Sequence, residues 1–274
     1  MRPSDNFVSG MDEPIVGSYE HKLFQRMDMR GMAAKVNEKT GHAENTANGL
    51  KADSTVGSAA DKVSEAIVRG IRSGVFVPGQ HLVEPDLTQR LGISRGSLRE
   101  ALKHLAAAGI VTLNRFRGAY IATLDRKAVL DLLQTLEPLA CLAARLAAEH
   151  CDTKEKAKKI IDAAASIDIA NRNQNRAQYL EQRRHFYAVL LKIGGNAELE
   201  RAMPLTRTDL FRAQIESIQS ESQRSRHASG YSKIAKAVAE QNASGAERAV
   251  QRHFAGTRKT IEELPATAFA SYAS

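Results

Sequence analysis

Residues 92–102 hold side chains whose types and spacing are those of a DNA-reading helix. The segment reads Gly-Ile-Ser-Arg-Gly-Ser-Leu-Arg-Glu-Ala-Leu, so Ser94 is placed to cap a helix that starts at Arg95. Arg95 and Arg99 are four residues apart and share one face of that helix, while the leucines occupy another. A short helix of this kind can present guanidinium groups to the major groove of DNA while its leucines face a core.

A basic turn with an aromatic residue follows this helix. It reads Arg115-Phe-Arg-Gly118, and the apolar segments on either side, residues 110–113 and 118–121, predict the two strands of a hairpin. Residues 58–124 contain nine Lys or Arg against five Asp or Glu, and the surplus lies mostly on the helix and the turn. Positive charge on both elements favours a phosphate backbone as the partner.

The elements that must position these groups are visible in the preceding sequence. Apolar residues recur at helical spacing from residue 58 until Ser73-Gly74, which ends the first helix. A second helix is predicted from Glu84 to Leu91, with Pro85 in its first turn. Gly92 then makes the turn into the third helix. Helix, helix, turn, helix and hairpin together predict a winged helix-turn-helix over residues 56–124.

The rest of the chain predicts a second, all-helical domain. Helices are predicted at residues 126–150, 153–172, 176–193, 197–219, 227–243 and 245–263. Their short connections indicate an antiparallel helical bundle over residues 125–264. Pro138 is expected to bend or split the first of them. Residues 1–55 show no sustained period and are predicted to form a disordered tail, and residues 265–274 a C-terminal tail. The fold class is therefore mostly α.

Bulk composition excludes several classes of protein. The 274 residues are 43% hydrophobic and carry a net charge of +8, which suits a folded basic protein with a polyanionic partner. Cys141 and Cys151 are too few for a disulfide framework and are predicted to stay reduced, because they lie ten residues apart in one helical region. The chain lacks an apolar run long enough to span a bilayer and a secretion signal, so we expect a cytoplasmic protein.

With these elements in place, the chain resembles the GntR family of bacterial transcription factors, in its FadR-like branch. The segment LVEPDLTQRLGISRGSLREALKHLAAAGIV, followed by RGAYIA, matches the family pattern in order and spacing. In the helical part the resemblance rests on LAARLAAE, on the GGN turn and on RHF near the end. It covers residues 58–264.

The resemblance implies a homodimer that binds a short palindromic DNA operator. It also implies a small acidic metabolite, a carboxylate or an acyl-coenzyme A, as an effector in the helical domain. By position, the residues that it assigns to phosphate and base contacts are Ser94, Arg95, Gly96, Ser97, Arg99, Arg115, Arg117 and Gly118. Arginine suits guanine because its planar fork matches two acceptors on the base edge.

At the metal site of many relatives, the chain departs from the family. The Asp position holds Arg183, the first His position Tyr187 and the second His position Tyr231, so only His253 remains. One imidazole beside a guanidinium does not hold a dication, and His185 lies on another face of its helix. We therefore predict no metal and no cofactor.

The four residues at these positions predict an effector site instead. A guanidinium, two phenols and an imidazole that converge on a cavity would suit a carboxylate or phosphate bound directly, with Arg183 supplying the charge. The alternative is a filled, ligand-free core with Arg183 turned to solvent or paired with Glu137. Two other functions stay open at this point: an architectural DNA-binding protein without an effector, and a helical-bundle enzyme. The prediction is a regulator, not an enzyme.

Overall fold

The computed structural model describes residues 58–270. The tail predicted over residues 1–55 lies outside the described residues, as do the last four residues. The described part is mostly helical, as predicted. Its α-helices are α1 (Ala59–Ser73), α2 (Glu84–Leu91), α3 (Arg95–Ala107), α4 (Arg126–Glu149), α5 (Lys154–Arg172), α6 (Arg176–Gly194), α7 (Ala197–Ala202), α8 (Leu205–Ile215), α9 (Glu221–Ala239) and α10 (Ala243–Glu263). Its strands are β1 (His81–Leu82), β2 (Val111–Asn114) and β3 (Gly118–Ile121), and a 3-10 helix spans Ala266–Ala268.

Helix α1 begins with a reciprocal cap. Ser58 Oγ accepts a hydrogen bond from the Asp61 N–H at 3.1 Å, and the Asp61 carboxylate accepts one from the Ser58 N–H at 2.9 Å. Beyond the cap, Val63, Ile67 and Ile71 recur at helical spacing and are buried. This face packs against α3, and the two helices form the core of the N-terminal domain.

The turn between α2 and α3 is set by a glycine. Gly92 has a φ of +63°, and its N–H bonds to the Thr88 carbonyl, which ends α2. A left-handed residue at this point suits glycine because a Cβ would be strained there. Ser94 then caps α3, so that only three residues separate the helices. The predicted helix-turn-helix is present with these boundaries.

The small sheet has three antiparallel strands in the order β1-β3-β2. Strand β3 pairs with β2 over its whole length, and it also pairs with β1 through Leu82 and Ala119. The sequence predicts the β2-β3 hairpin but not β1, because a two-residue strand is too short to show a period. Strand β1, which lies just before α2 in the chain, thus joins the hairpin to the rest of the domain.

Five long helices form the bundle. Helix α4 packs against α6 and α10, α5 packs against α6 and α9, and α9 packs against α10, so they close around a common core. Alanines such as Ala143 and Ala147 are fully buried and let α4 approach its neighbours closely. Cys141 and Cys151 are both free thiols, as predicted. Within residues 58–270, no helix combines the length and the apolar character that a membrane crossing requires.

Two prolines in the bundle have different effects. Helix α4 continues through Pro138 as one element, so of the bend or split expected there the split is absent. Packing of α4 between α6 and α10 compensates for the lost backbone hydrogen bond. The helix predicted over residues 197–219 was wrong: Pro204 divides it into α7 and α8. Met203 takes an extended ψ of 116°, as expected for a residue that precedes a proline.

The connection between the two domains is held by a side-chain amide. Gln214 of α8 donates from Nε2 to the carbonyls of Leu124 and Ala268, and its Oε1 accepts from the Leu124 N–H at 2.9 Å. The Ala270 N–H donates to the Leu124 carbonyl as well. Phe269 is buried, so the chain remains packed as far as the end of the described residues.

Candidate nucleic-acid interface and effector cavity

The N-terminus of α3 is exposed on one side and anchored on the other. Ser94 Oγ accepts a hydrogen bond from the Ser97 N–H at 3.1 Å and lies 3.0 Å from Ser97 Oγ. Leu98 and the leucines that follow it are buried, whereas Arg95 is exposed. The cap leaves backbone N–H groups and a helix dipole at a surface where a phosphate can approach.

Arg99 is held in place without being covered. Its Nε donates to a carboxylate oxygen of Glu84 at 3.2 Å, and 68% of its side chain remains exposed. Because this bond uses Nε, the two terminal nitrogens of the guanidinium stay available for the edge of a base. Gly96 lies between the two arginines on the exposed turn and adds no bulk there.

The wing presents a compact basic tip. Asn114 and Gly118 close the β2-β3 hairpin, and the Asn114 side chain accepts a hydrogen bond from the Phe116 N–H at 3.1 Å. Arg115 and Arg117 are exposed on either side of Phe116, whose ring is 90% exposed. Gly118 has a φ of +84°, and a Cβ there would lie 2.9 Å from a ring nitrogen of His81. The positive φ therefore favours glycine at the end of this turn, and a Cβ would also require the exposed His81 ring to shift.

In the bundle, the four predicted effector residues lie close together. The buried Arg183 donates from Nε to the Tyr231 hydroxyl at 3.1 Å, and its guanidinium carbon lies 5.4 Å from the centre of the Tyr187 ring. The rings of Tyr231 and His253 are 4.7 Å apart. The charge of Arg183 is already neutralised, because its Nη1 donates to Asp209 at 2.7 Å. The expected alternatives, solvent or Glu137, are not its environment.

Two histidines lie side by side at the end of this cluster. The rings of His227 and His253 are 4.4 Å apart, and Tyr179 Oη is 2.5 Å from His227 Nδ1. Burial, reinforced by the Arg212 and Arg183 charges, lowers the pKa of His253 to about 3. Burial and the Arg212 charge also hold the pKa of His227 well below its ordinary value. Both rings are therefore neutral at pH 7.

A cavity of about 110 Å³ opens beside these histidines, between α8, α9 and α10. His253 lines it, whereas Arg183, Tyr187 and Tyr231 lie outside its lining. The cavity is also lined by Arg212, which the sequence analysis did not include in the effector site. Within the described part of the chain, no group of three His, Cys, Asp or Glu side chains is placed to hold a metal ion.

Helix α8 contributes buried polar residues that the sequence did not assign to the effector site, although it left open that Arg212 reaches the cavity or a dimer surface. Thr208, Asp209 and Arg212 are all buried, although the α8 sequence LTRTDLFRAQI has no apolar stripe to mark a buried face. A helix that is polar all round is expected at a surface or between domains. Here α8 packs against both α1 and α6, so its polar side chains become buried. They form hydrogen bonds with residues of other helices: Asp209 with Arg183 of α6, and Arg212 with Thr257 of α10.

Two family profiles match the chain. The profile described as bacterial regulatory proteins, gntR family, covers residues 59–121, and that of the FCD domain covers residues 131–256. The chain belongs to the GntR family. Its helical domain is an FCD effector-binding domain, which places the chain in the FadR-like branch that the sequence indicated. The first profile coincides with the winged helix-turn-helix and the second with the bundle.

Relatives of this GntR-family chain include the galactonate operon transcriptional repressor of Escherichia coli (strain K12). The two are 24% identical over 226 residues, which are 74% of this chain and 97% of that protein. The HTH-type transcriptional regulator YdhC of Bacillus subtilis (strain 168) is 32% identical over 85 residues, 31% of this chain and 38% of the relative. The chain spans only 33 to 38% of the length of several curated relatives that it matches.

Among solved structures, the chain is similar to the E. coli protein McbR/YncC. The TM-score is 0.67 at 15% identity, and the match covers 76% of this chain and 99% of that one. At this identity the likeness supports the fold alone. The family and these relatives are transcriptional regulators, so the chain has the two domains of a GntR-type regulator and belongs to a family of regulators, not of enzymes.

Proposed function

We propose that this GntR-type regulator binds a palindromic operator as a homodimer. A small acidic metabolite bound in its FCD domain controls whether the dimer stays on the operator or is released. The observation that supports DNA reading best is the pair Arg95 and Arg99, which are exposed on a capped helix whose other side is buried. A two-fold dimer presents two such helices, so the half-sites of its operator are expected to be related by the same symmetry. Such a regulator works in the cytoplasm, where the bacterial chromosome lies.

In this proposal α3 reads bases and the wing fixes the register. Arg95 and Arg99 enter the major groove, and Ser94, Ser97 and the N–H groups near Gly96 bind a phosphate. The other contacts come from the wing: Arg115, Arg117 and the backbone at Gly118. The wing lies along the adjacent minor groove, where its guanidinium groups meet strong negative potential. The similarity to a galactonate repressor supports repression as the mode of control.

For the effector we propose a carboxylate or an acyl-coenzyme A species bound at the cavity of the FCD domain. His253 contacts it directly, and Arg183, Tyr187 and Tyr231 form the polar layer behind His253. The effector favours one of two arrangements of the bundle and so changes the separation of the paired α3 helices. Its effect on the operator cannot exceed the difference in its affinity for the two arrangements.

Substitution of Arg95 or Arg99 by Ala tests the DNA-binding part of this proposal. Each change is expected to weaken operator binding by about 1–3 kcal/mol per subunit, because a base contact is lost while the buried side of α3 is untouched. Fluorescence anisotropy with an operator selected from random duplexes measures the affinity, and sedimentation equilibrium checks that the dimer persists.

Arg248→Ala is the matched control for these variants. Arg248 is exposed on α10, far along the chain from α3, and its removal changes the net charge by the same amount. We expect it to alter only the weak, salt-dependent part of binding. Unchanged operator affinity in both the Arg95 and Arg99 variants would contradict the assignment of α3 as the reading helix.

A further inference from the structure

The cavity in the FCD domain is lined by cations without compensating anions. Besides the two histidines, its lining contains Arg212, Arg226, Lys233 and Arg252, and none of the lining residues is Asp or Glu. Arg226, Lys233 and Arg252 are exposed at its opening. Among the described residues, no carboxylate lies within 4 Å of any of these four cations.

Arg212 is the strongest feature of this lining. Only 4% of the residue is exposed, and its Nη2 donates to the Thr257 hydroxyl at 3.2 Å, a neutral partner. Its Nε has no hydrogen-bond partner within residues 58–270. Burial lowers the pKa of Arg212, and the nearby Arg183 charge lowers it further, but a guanidinium stays charged in a protein. Glu216, one turn further along the chain at the end of α8, is buried and interacts with this charge at longer range: burial raises the pKa of its carboxyl, and the Arg212 charge opposes that rise. A buried guanidinium without a direct ion pair is costly, so this site favours a bound anion.

A second donor without a partner lies beside the first. His227 Nε2 is buried and has no partner in the described part of the chain. When the Tyr179 hydroxyl donates to Nδ1, the neutral ring carries its proton on Nε2, and His227 is one of the residues that line the cavity. Arg212 and His227 together therefore offer two buried N–H donors that an oxyanion can accept from.

The size of the cavity limits the ligand. A cavity of about 150 Å³ holds a benzene molecule, so about 110 Å³ holds the body of a small organic acid or a phosphate group. An acyl-coenzyme A could place only a small part of its structure there, so the cavity favours the small carboxylate among the two proposed effector classes. One anionic group suffices for Arg212, and the three exposed cations at the opening suit a second negative charge.

We propose that the effector is a small oxyanion with at least two negative charges, and that Arg212 is its principal charge partner in place of the metal that many relatives use. This inference rests on the proposed function, since it assigns the ligand class of the same FCD site. A dicarboxylate and a phosphate share this chemistry, and the experiment below distinguishes them.

Thermal unfolding of the full chain, with ligand and ionic strength controlled, tests the proposal. Succinate, malonate and inorganic phosphate are each compared with acetate and with sodium chloride at the same ionic strength. We expect at least one dianion to raise the melting temperature by several degrees, because a ligand that binds only the folded state stabilises it. Acetate at the same concentration is expected to have little effect. Equal shifts for acetate and all dianions, or no shift at all, would overturn the proposal.

The variant Arg212→Met separates ligand binding from structure. We expect it to unfold at the same or a higher temperature than the wild type without ligand, because an uncompensated buried charge is removed. It should also bind the active dianion at least about tenfold more weakly in calorimetry, a loss of ~1.4 kcal/mol. Arg248→Met, with the same change of charge outside the cavity lining, should bind like the wild type. Wild-type affinity in Arg212→Met would overturn the assignment.

A second variant allows the same proposal to be tested if Arg212→Met does not fold. Lys233 is exposed, so Lys233→Met leaves the buried core unchanged and should weaken the dianion more than acetate. Operator binding is measured on the same preparations. Normal operator binding without any response to dianions would refute this inference alone and favour an architectural role, whereas loss of operator binding with an intact dianion response would refute the DNA-binding proposal.

Discussion

Two buried arginines in the FCD domain differ in what surrounds them. Arg183 is 1% exposed and is neutralised by Asp209, with Tyr231 accepting its Nε–H. Arg212 is similarly buried, but its hydrogen-bond partner is the Thr257 hydroxyl. Since a paired buried charge is already satisfied and an unpaired one is not, the first residue stabilises the fold and the second retains capacity for a ligand.

The neighbouring histidines make stability depend on pH. The pKa of His253 falls from an ordinary 6.5 to about 3 in the folded protein, so between these values the unfolded chain binds more protons. The free energy of unfolding should then fall as the pH drops below 6.5, by up to about 1.4 kcal/mol per pH unit from this one group. The contribution of His253 to the free energy of unfolding should be fully present above pH 6.5. Urea unfolding at pH 7.5, 6.5 and 5.5 measures the slope.

His253→Gln is expected to flatten this pH dependence by the contribution of one group. His104→Gln is the matched control, because His104 is exposed on α3 and lies outside the buried cluster. A slope that is the same in the wild type and in His253→Gln would show that the ring titrates normally in the folded state.

The wing depends on local backbone geometry more than on burial. Its tip holds Arg115, Phe116 and Arg117 in solvent, so the position of these side chains is set by the hairpin and by the bond from Phe116 N–H to Asn114. An exposed ring between two guanidinium groups can pack against deoxyribose while they bind phosphate. The element is stiff because β3 pairs on both edges.

Gly118→Ala should therefore damage the wing specifically. The φ of +84° and the contact with His81 oppose a Cβ, so we expect a loss of about 1–2 kcal/mol in unfolding free energy, together with weaker operator binding. Gly256→Ala is the control: it lies within α10, a Cβ there meets open space, and alanine favours the helix by roughly 0.5–1 kcal/mol. Chemical denaturation and anisotropy distinguish the two. Equal effects would contradict this account of the wing.

Within residues 58–270, two carboxylates of the bundle contact Arg72 of the DNA-binding domain, and Asp209 is the buried one. Asp209 is 1% exposed and accepts from Arg183 at 2.7 Å and from Arg184 at 3.1 Å, both on α6. Arg72 of α1 lies 3.9 Å from the same carboxylate and also bonds Glu181 at 2.9 Å. A change at the cavity that moves Arg183 therefore has a direct electrostatic route to the first helix of the DNA-binding domain.

Asp209→Asn tests this connection. Removing one charge leaves Arg183 buried and unpaired, so the free energy of unfolding should fall by about 3–5 kcal/mol. Glu181→Gln removes the exposed partner of the same Arg72 and should cost less than about 1 kcal/mol. In urea unfolding, we also expect Asp209→Asn to separate the transitions of the two domains. A small and equal loss in both variants would argue against a connecting role.

Much of the fold and the exposed face of α3 could be predicted because the signals are local. Ser94 as a cap, Gly92 and Gly118 at positive φ, and the leucines behind Arg95 are each specified by residues within a few positions in sequence. Local capping, turn geometry and helical period fix such elements before any distant contact forms. The prediction of a single helix over residues 197–219 was wrong because it gave too little weight to Pro204, which is an equally local signal.

The sequence by itself thus determined the winged helix-turn-helix and the helical domain, and it predicted an effector site from the four residues at the positions that hold a metal in many relatives. Only the tertiary structure decided which polar groups of α8 became buried. It pairs Asp209 with Arg183 and leaves Arg212 at the cavity without a carboxylate. The reason is physical: the partner of a buried charge lies on another helix, and the rotation of one helix against another is set by the packing of the whole bundle, not by the spacing of residues along the chain.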